Sequence, residues 1–346
     1  MSAVDPLRVA VVGAGAFGRN HLRVYRELEQ AGEAVRLVAV VDRDAAVAAE
    51  AAAGFGVPAF SSIAECVAAG GVDAASVCVP TVHHRAAAEE LMAAGVDVLV
   101  EKPLAPSLED ADSMLAVAQE RGRVLQVGHL ERFNPAVTAA RRHLNQPMFF
   151  ESHRLSVFTP RSLDVDVVLD LMIHDLDIVL NLVGSPVREV RAVGLPVLSP
   201  KVDIANVRVE FETGCVANFT ASRVSTERVR KLRFFQPHQY LSIDFARQDL
   251  LMIDVTAAAG MDPAKLAAMA AMLQASGGHP SAGLSLSKVA VEQGEPLRLE
   301  IVSFLEAVRS RTKPVVSGED GRAALELALE INRAIAVHAE RAGLVI

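Results

Sequence analysis

An alternation constrains this chain more than any other feature. Over its first 128 residues, short runs of uninterrupted apolar side chains take turns with longer stretches patterned for helix. The apolar runs are Leu7–Val12, Val35–Val41, Val57–Phe60, Ala74–Val79, Val96–Val100 and Val124–Val127. Between them lie helical patterns at Ala16–Gln30, Asp44–Ala53, from Ser61 and Ser62 to about Ala69, at His84–Ala94 closed by Gly95, and from Ser107 to Gly122. Ser107 with Asp110 three residues on is a capping-box-like start, and Gly122 a glycine stop. Strands that are apolar throughout are buried on both faces, and helices between them make the sheet parallel. Right-handed crossovers then produce a doubly wound α/β sheet.

The first strand runs into Gly13-Ala14-Gly15-Ala16-Phe17-Gly18, a G-x-G-x-x-G loop that opens a helix. Asp42 follows at the end of the next strand, a little over 20 residues on. That context makes a weak motif specific for a dinucleotide. Gly13 permits the tight turn, Gly15 lets backbone approach a pyrophosphate, and Gly18 allows close helix–strand packing. The helix N-terminus offers free N–H groups and partial positive charge to the phosphates, with Ala16 and Phe17 in its first turn. Asp42 is placed to accept from ribose hydroxyls and to repel a 2′-phosphate, favouring NAD over NADP. Arg43 beside it works the other way, since a guanidinium pairs with phosphate.

Beyond Gly128 the pattern changes. Residues 164–183 read as one long apolar helix. Closely spaced strand-like runs then extend from about Val187 to Val255, including Val207–Glu212, Cys215–Ser222, Val229–Phe235 and Tyr240–Phe245. Thr213-Gly214 is a hairpin-type turn. Helices near 263–274, 298–310 and 319–341 complete the chain. The expectation is an N-terminal Rossmann domain over 1–128 and a C-terminal α+β domain over 129–346 with a mainly antiparallel open sheet. A sheet with one uncovered face predicts a homodimer or homotetramer. The Gly-Gly-His-Pro loop around Gly277–Ser281 reads as the mobile segment.

Charge and cysteine use exclude several functions. With 34 basic and 42 acidic residues the chain carries a formal net charge of −8, against non-specific nucleic-acid or anionic-membrane binding. Three scattered cysteines, Cys66, Cys78 and Cys215, without a C-x-x-C, suit a reducing cytoplasm. No stretch reaches the roughly 18 apolar residues of a membrane span. A strand beginning at Leu7 leaves no room for a signal peptide.

The segment Asp166–Asn181 is apolar almost all round, yet Asp166, Asp170, His174, Asp177 and Asn181 recur at i, i+4, i+8, i+11 and i+15. They form one polar stripe. Burying several acids costs too much free energy, so the stripe is expected to face water or a cleft. Two readings fit: a solvated face on which His174 pairs with Asp170, or a catalytic stripe. Oxidising a secondary alcohol takes a hydride from carbon and a proton from oxygen. Histidine can take that proton near neutral pH, and a lysine can stabilise the developing alkoxide. Asp170, His174 and Asp177 could supply carboxylate and imidazole ligands from one helix face, but a zinc alcohol dehydrogenase site would want cysteine ligands and the cysteines are scattered, so a closed metal site is not expected.

Two further motifs carry a resemblance. Val79-Pro80-Thr81-Val82-His83-His84 ends the fourth strand, and Ala94-Gly95-Val96-Asp97-Val98-Leu99-Val100-Glu101-Lys102-Pro103 spans the fifth. With the glycine loop, they resemble the glucose-fructose oxidoreductase / inositol dehydrogenase / MocA family over nearly the whole chain. The resemblance implies that Lys102 reaches the nicotinamide ribose and the substrate, and that Pro80 and Thr81 line the dinucleotide. His84 and Glu101 belong to the same two cofactor motifs. It also implies a cis peptide before Pro103. The family's D-x-x-x-H motif matches Asp170 and His174, which assigns His174 as general base, Lys102 as electrostatic partner, and Asp170 as orienter of substrate hydroxyls or of His174; the base and partner roles could be exchanged.

Gly128-His129-Leu130-Glu131-Arg132-Phe133-Asn134-Pro135 looks like the branch of that family that oxidises the 3-hydroxyl of UDP-N-acetylglucosamine. This implies a nucleotide-sugar substrate touched by His129, Arg132 and Asn134. A diphosphate needs positive charge, for which Arg132, Arg154 and Arg161 are candidates; surface charge is the alternative for the last two. Glu131 and Arg132 could instead brace the domain boundary. The competing functions are a dehydrogenase of a free sugar, inositol or other polyol, and a non-catalytic dinucleotide sensor.

Overall fold

The computed structural model describes residues 5–159, 165–255, 261–275 and 285–344. The expected loop around Gly277–Ser281 and Arg161 lie outside the described residues. The chain divides into two compact units. One comprises Met1–Phe133 with Gly294–Leu327, the other Asn134–Gln293 with Ala328–Ile346. The first thus takes in a late segment that a single cut after residue 128 leaves on the other side.

In the first unit the strands β1 (Leu7–Val12), β2 (Val35–Val41), β3 (Ala59–Phe60), β4 (Ala74–Val77), β5 (Asp97–Glu101) and β6 (Leu125–Gly128) form one parallel sheet in the order β3-β2-β1-β4-β5-β6. The order reverses between β1 and β4, the switch point at which such sheets bind ligands beyond their carboxyl ends. The helices α1 (Ala16–Gln30), α2 (Ala45–Phe55), α3 (Ile63–Ala68), α4 (His84–Ala93) and α5 (Leu108–Arg121) connect them. Ser107 caps α5 by accepting from the Asp110 amide, and Gly122 ends it in the left-handed region, both as the sequence predicts.

With no Trp in the chain, this core is built from aliphatic side chains. Leu22, Tyr25 and Leu28 of α1 share a buried cluster with Ile301, Phe304, Leu305 and Val308 of α9 (Pro296–Ser310). Each such side chain contributes about 1.5–3 kcal/mol on full burial. α10 (Gly318–Ala342) starts where only glycine fits. A Cβ on Gly318 would stand 2.5 Å from Leu115, and one on Gly321 2.5 Å from Val127. With the α1–α9 cluster and the Val127 amide donating to the Val316 carbonyl at 3.0 Å, these close contacts attach 294–327 to the first unit.

The second unit holds an eight-stranded sheet. Its strands are β7 (Phe149–Leu155), β8 (Val187–Leu195), β9 (Ile204–Phe211), β10 (Val216–Ser222), β11 (Val229–Gln236), β12 (Gln239–Asp244), β13 (Asp249–Asp254) and β14 (Ser285–Val289). Their order is β14-β13-β12-β11-β7-β10-β9-β8, and the helix α8 (Pro263–Ala275) lies between β13 and β14 in the chain. Every pairing is antiparallel except β7 with β10. The turn at Thr213-Gly214 joins β9 to β10, with Gly214 at φ +80°. β7, central in the sheet, was not singled out from sequence. It alternates Phe150, Ser152 and Arg154 inward with Phe149, Glu151 and His153 outward, so polar residues point both ways.

α6 (Pro135–Arg141) packs on β12 and β13, while a π turn at Val168–Met172 packs on β10 and leads into α7 (Ile173–Val183). The long helix expected over 164–183 is therefore interrupted. A π turn holds an extra residue, which breaks the 3.6-residue phase on which the polar stripe was drawn. Asp166 instead starts the helix, accepting from the amides of Val168 and Leu169 at 2.9 and 3.0 Å and from the Asn332 side chain at 3.1 Å. Asp170, His174 and Asn181 are half-buried, but Asp177 is only 1% exposed and does not face water.

A loop of this unit is organised by Asp203. Burial raises its carboxyl, but the Ser199 hydroxyl and the amides of Ser199, Leu198 and Val197 outweigh that and hold its pKa at about 2, against an ordinary 3.8. Arg223 lies 3.5 Å away. In the unfolded chain this group takes up its proton first as pH falls, so its contribution is full above pH 3.8 and is lost progressively toward pH 2. Asp203→Asn is expected to lower stability at neutral pH and to flatten the acid limb of the stability curve between those values, measured by urea unfolding across pH.

Candidate functional site

The glycine loop grows out of β1 and is fastened on both sides. The Gly13 amide donates to the Val41 carbonyl at 2.8 Å, and the Cys78 amide to the Val12 carbonyl at 2.7 Å. Gly13 has φ +94°, and a Cβ there would stand 2.7 Å from the Cys78 backbone. A Cβ on Gly18 would come within 1.8 Å of the Gly13 carbonyl oxygen. Gly15 is different: nothing lies within 4 Å of where its Cβ would be. It begins α1 with no side-chain cap, and the first turn carries no acid. An uncapped helix end beside open space leaves N–H groups available to an anion, and so fits the pyrophosphate of a dinucleotide.

Asp42 is fixed by backbone. Its Oδ2 accepts from the Ala14 amide at 2.8 Å and its Oδ1 from the Asp44 amide at 3.0 Å, which ties it to the glycine loop. Each oxygen keeps a lone pair for a ribose hydroxyl. Gly13, Gly15, Ala16, Phe17, Asp42, Arg43 and Pro80 all line one cavity of about 850 Å³. His83, not singled out as a site residue, lines it too, with its Nε2 3.3 Å from the Arg43 guanidinium.

Other expected cofactor residues do different work. Gly18 packs rather than binds, as its spacing implied. Thr81 opens a short turn after β4 and is half-buried. His84 was expected on the cofactor side, but it is 1% exposed and braces two loops from within. Its Nε2 faces the Val79 carbonyl at 2.9 Å and its Nδ1 the Pro103 carbonyl at 3.0 Å. Burial pushes its pKa down despite these carbonyls. Glu101 is likewise buried. His21 Nε2 approaches its Oε1 at 3.0 Å, its Oε2 accepts from the Lys102 amide at 3.3 Å, and a Cβ on Gly128 would lie 2.8 Å from its carboxylate. Lys102 is half-buried at the end of β5, and the Lys102–Pro103 peptide is cis, as the resemblance implies.

Among the expected substrate residues, His129 and Arg132 are buried, at 1% and 4% exposure. Asn134 is spent on structure. Its Oδ1 accepts from the Ala136 amide to cap α6, and its Nδ2 donates to the Phe245 carbonyl at 3.1 Å. Arg154, a candidate for a diphosphate, is 4% exposed and makes a bidentate pair with Asp175, both bonds 2.8 Å. Its guanidinium also lies 5.1 Å from the Phe245 ring centre. A buried, doubly bonded guanidinium is not on offer to a phosphate. Asp170 stands in the π turn and His174 in the first turn of α7. Among the described residues no group of three or more His, Cys, Asp or Glu could hold a metal, and no helix is long and apolar enough to cross a membrane.

Sequence reasoning missed His21, Ser76 and Tyr25. His21 and Tyr25 lie on the buried face of α1, at helical spacing with Gly18 and Leu22. A histidine on that otherwise apolar face was the available signal.

Comparison with known proteins agrees with this geometry. Residues 7–129 match the oxidoreductase family with an NAD-binding Rossmann fold, and 136–236 match the GFO/IDH/MocA C-terminal domain. The UDP-N-acetylglucosamine 3-dehydrogenase of Acidithiobacillus ferrooxidans is 37% identical over 97% of this chain and 99% of its own. The scyllo-inositol 2-dehydrogenase (NAD(+)) of Bacillus subtilis is 28% identical over 63% of this chain and 68% of its own. A solved structure of the Acidithiobacillus enzyme superposes with a TM-score of 0.83 at 35% identity, covering 96% of this chain and 98% of the other. Levoglucosan dehydrogenase, solved with NADH and levoglucosan, shares the fold at 18% identity, TM-score 0.80, over 96% and 98% of the two chains. With an NAD-binding first unit and a matching C-terminal unit, the chain belongs to the GFO/IDH/MocA family of oxidoreductases.

Proposed function

We propose that this chain is a cytoplasmic, NAD-dependent dehydrogenase that oxidises a secondary hydroxyl of a nucleotide sugar, the 3-hydroxyl of UDP-N-acetylglucosamine. What carries this reading is the 37% identity with an enzyme of that name along 97% of the chain. The inositol dehydrogenases are similar over 55–63% of it. Three free thiols suit a reducing compartment.

Bound NAD supplies a hydride acceptor at its nicotinamide ring. The residues do the rest. Lys102 holds the substrate oxygen and stabilises it as its proton leaves. His174 takes that proton and returns it in the reverse direction. Asp170 orients substrate hydroxyls. The expected outcome is that UDP-N-acetylglucosamine, and not myo-inositol, drives NADH formation followed by absorbance. Lys102→Met and His174→Asn should each lower kcat by about 10²–10⁴-fold. Tight NAD binding without turnover on any sugar would favour a sensor instead.

Asp42 carries the preference for NAD, because a 2′-phosphate would meet a carboxylate already anchored to Ala14 and Asp44. Asp42→Ser should weaken NAD binding about 10-fold or more, since hydrogen bonds to a charged group are worth about 1.5–3 kcal/mol. It should also narrow the gap to NADP, with Arg43 and His83 left beside the ribose. Calorimetric titration with both cofactors measures this.

The eight-stranded sheet supports self-association. Its inward face buries Phe150, Leu232, Phe234, Leu241 and Ile243. On the other face Phe149, Phe235 and Tyr240 form a ring cluster with centroids 5.7 and 4.9 Å apart, and Phe235 is 39% exposed. An aromatic patch of this kind favours a second copy. Native mass measurement should return a dimer or tetramer, and Phe235→Glu should shift it toward monomer.

A further inference from the structure

We propose that His21 is a positioning residue for hydride transfer: it ties the helix that cradles the dinucleotide to Lys102 through the buried carboxylate of Glu101. This rests on the reading of Lys102 as a group that touches the substrate.

The contacts form one directed chain within the first unit. Tyr25 Oη lies 2.9 Å from Ser76 Oγ, Ser76 Oγ 3.0 Å from His21 Nδ1, and His21 Nε2 3.0 Å from Glu101 Oε1. The other oxygen of Glu101 accepts from the Lys102 amide. Glu101 is an acceptor, so His21 donates from Nε2, and in the neutral ring that the proposal assigns Nδ1 accepts from the Ser76 hydroxyl. Ser76 Oγ then accepts from Tyr25, whose hydroxyl burial holds protonated by pushing its pKa well up. Every donor points toward the carboxylate. His21 and Ser76 have no exposed surface.

The chain also reaches the cofactor cavity. Phe17 lines it, and its ring lies 5.5 Å from the His21 ring. Cavity wall, α1, Glu101 and the Lys102 backbone are therefore linked in series, and the Glu101 carboxylate occupies space that a side chain at Gly128 would fill. Loss of the His21 donor leaves a buried carboxylate short of a partner. That strains its bond to Lys102, and a displacement of about 1 Å in such a group costs on the order of 10²-fold in rate.

His21→Leu and His21→Gln separate this from packing, because the Gln amide can still donate to Glu101 and Leu cannot. The chain predicts at least a 10-fold (~1.4 kcal/mol) loss of kcat in the Leu variant, with NAD affinity by calorimetry within about 3-fold of wild type. The Gln variant should recover most of kcat. Equal losses in both variants, an unchanged kcat in the Leu variant, or a loss confined to NAD affinity would each overturn it. A second arm needs no substrate and survives if the Leu variant misfolds. In ¹⁵N-histidine NMR of the wild-type chain, the His21 ring should report the Nε2–H tautomer and shift on NAD addition. In Glu101→Gln its Nε2 signal should move and lose most of that response. An unmoved signal sinks the proposal, whatever sugar the enzyme uses.

Discussion

Helix α1 approaches the loop after β1 so closely that a single methyl on Gly18 would fall 1.8 Å from the Gly13 carbonyl oxygen. Much of the first unit depends on that contact. It brings the uncapped N-terminus of α1 to the end of β1. It lowers the buried face of the helix onto β4 and β5, so that His21 reaches Ser76 and Glu101. It also leaves Asp42 within reach of the Ala14 amide. One steric constraint therefore positions the uncapped helix end, the Asp42 carboxylate and the polar chain behind Lys102.

How far the sequence foretold this depends on the range of the interaction. The doubly wound parallel sheet, the antiparallel second sheet, the caps at Ser107 and Gly122 and the hairpin at Gly214 follow from local periodicity and turn chemistry, and each was legible. So was the cavity wall, because the G-x-G-x-x-G loop and Asp42 declare themselves at fixed spacing. What could not be read was the fate of polar residues whose partners lie far along the chain. Arg154 looks like a spare cation until Asp175, 21 residues on, proves to hold it. Asn134 looks like a ligand group until it caps its own helix and meets the carbonyl of Phe245, 111 residues away. His84 carries a motif position but is enclosed between carbonyls of the two loops it joins.

The polar stripe of the second unit holds only in part, for a different reason: Asp177 is buried. Its drawing assumed unbroken 3.6-residue geometry, and a π turn at Val168–Met172 intervenes. π turns have no strong sequence signature and recur at functional sites, where an extra residue redirects side chains out of register. Here the turn contains Asp170 and leads directly into the first turn of α7 with His174, the two side chains proposed for the chemistry. The irregularity that spoiled the periodic reading lies where a uniform helix would have aimed Asp170 and His174 differently.

Many polar groups are buried alongside the apolar core. Apolar packing is non-directional, and hydrophobic residues of about the right size can fill an interior in more than one arrangement. Hydrogen bonds between buried charged or polar groups are directional, and breaking one strands the other partner. His21 with Glu101, His84 with the Val79 and Pro103 carbonyls, Arg154 with Asp175, and Asp203 with the amides of 197–199 each connect two elements at one distance. The first two lie directly behind the loops that carry Lys102 and Pro80. A hydride transfer that tolerates little displacement needs such struts more than it needs extra stability, because burying an ion pair adds little net stability while fixing geometry.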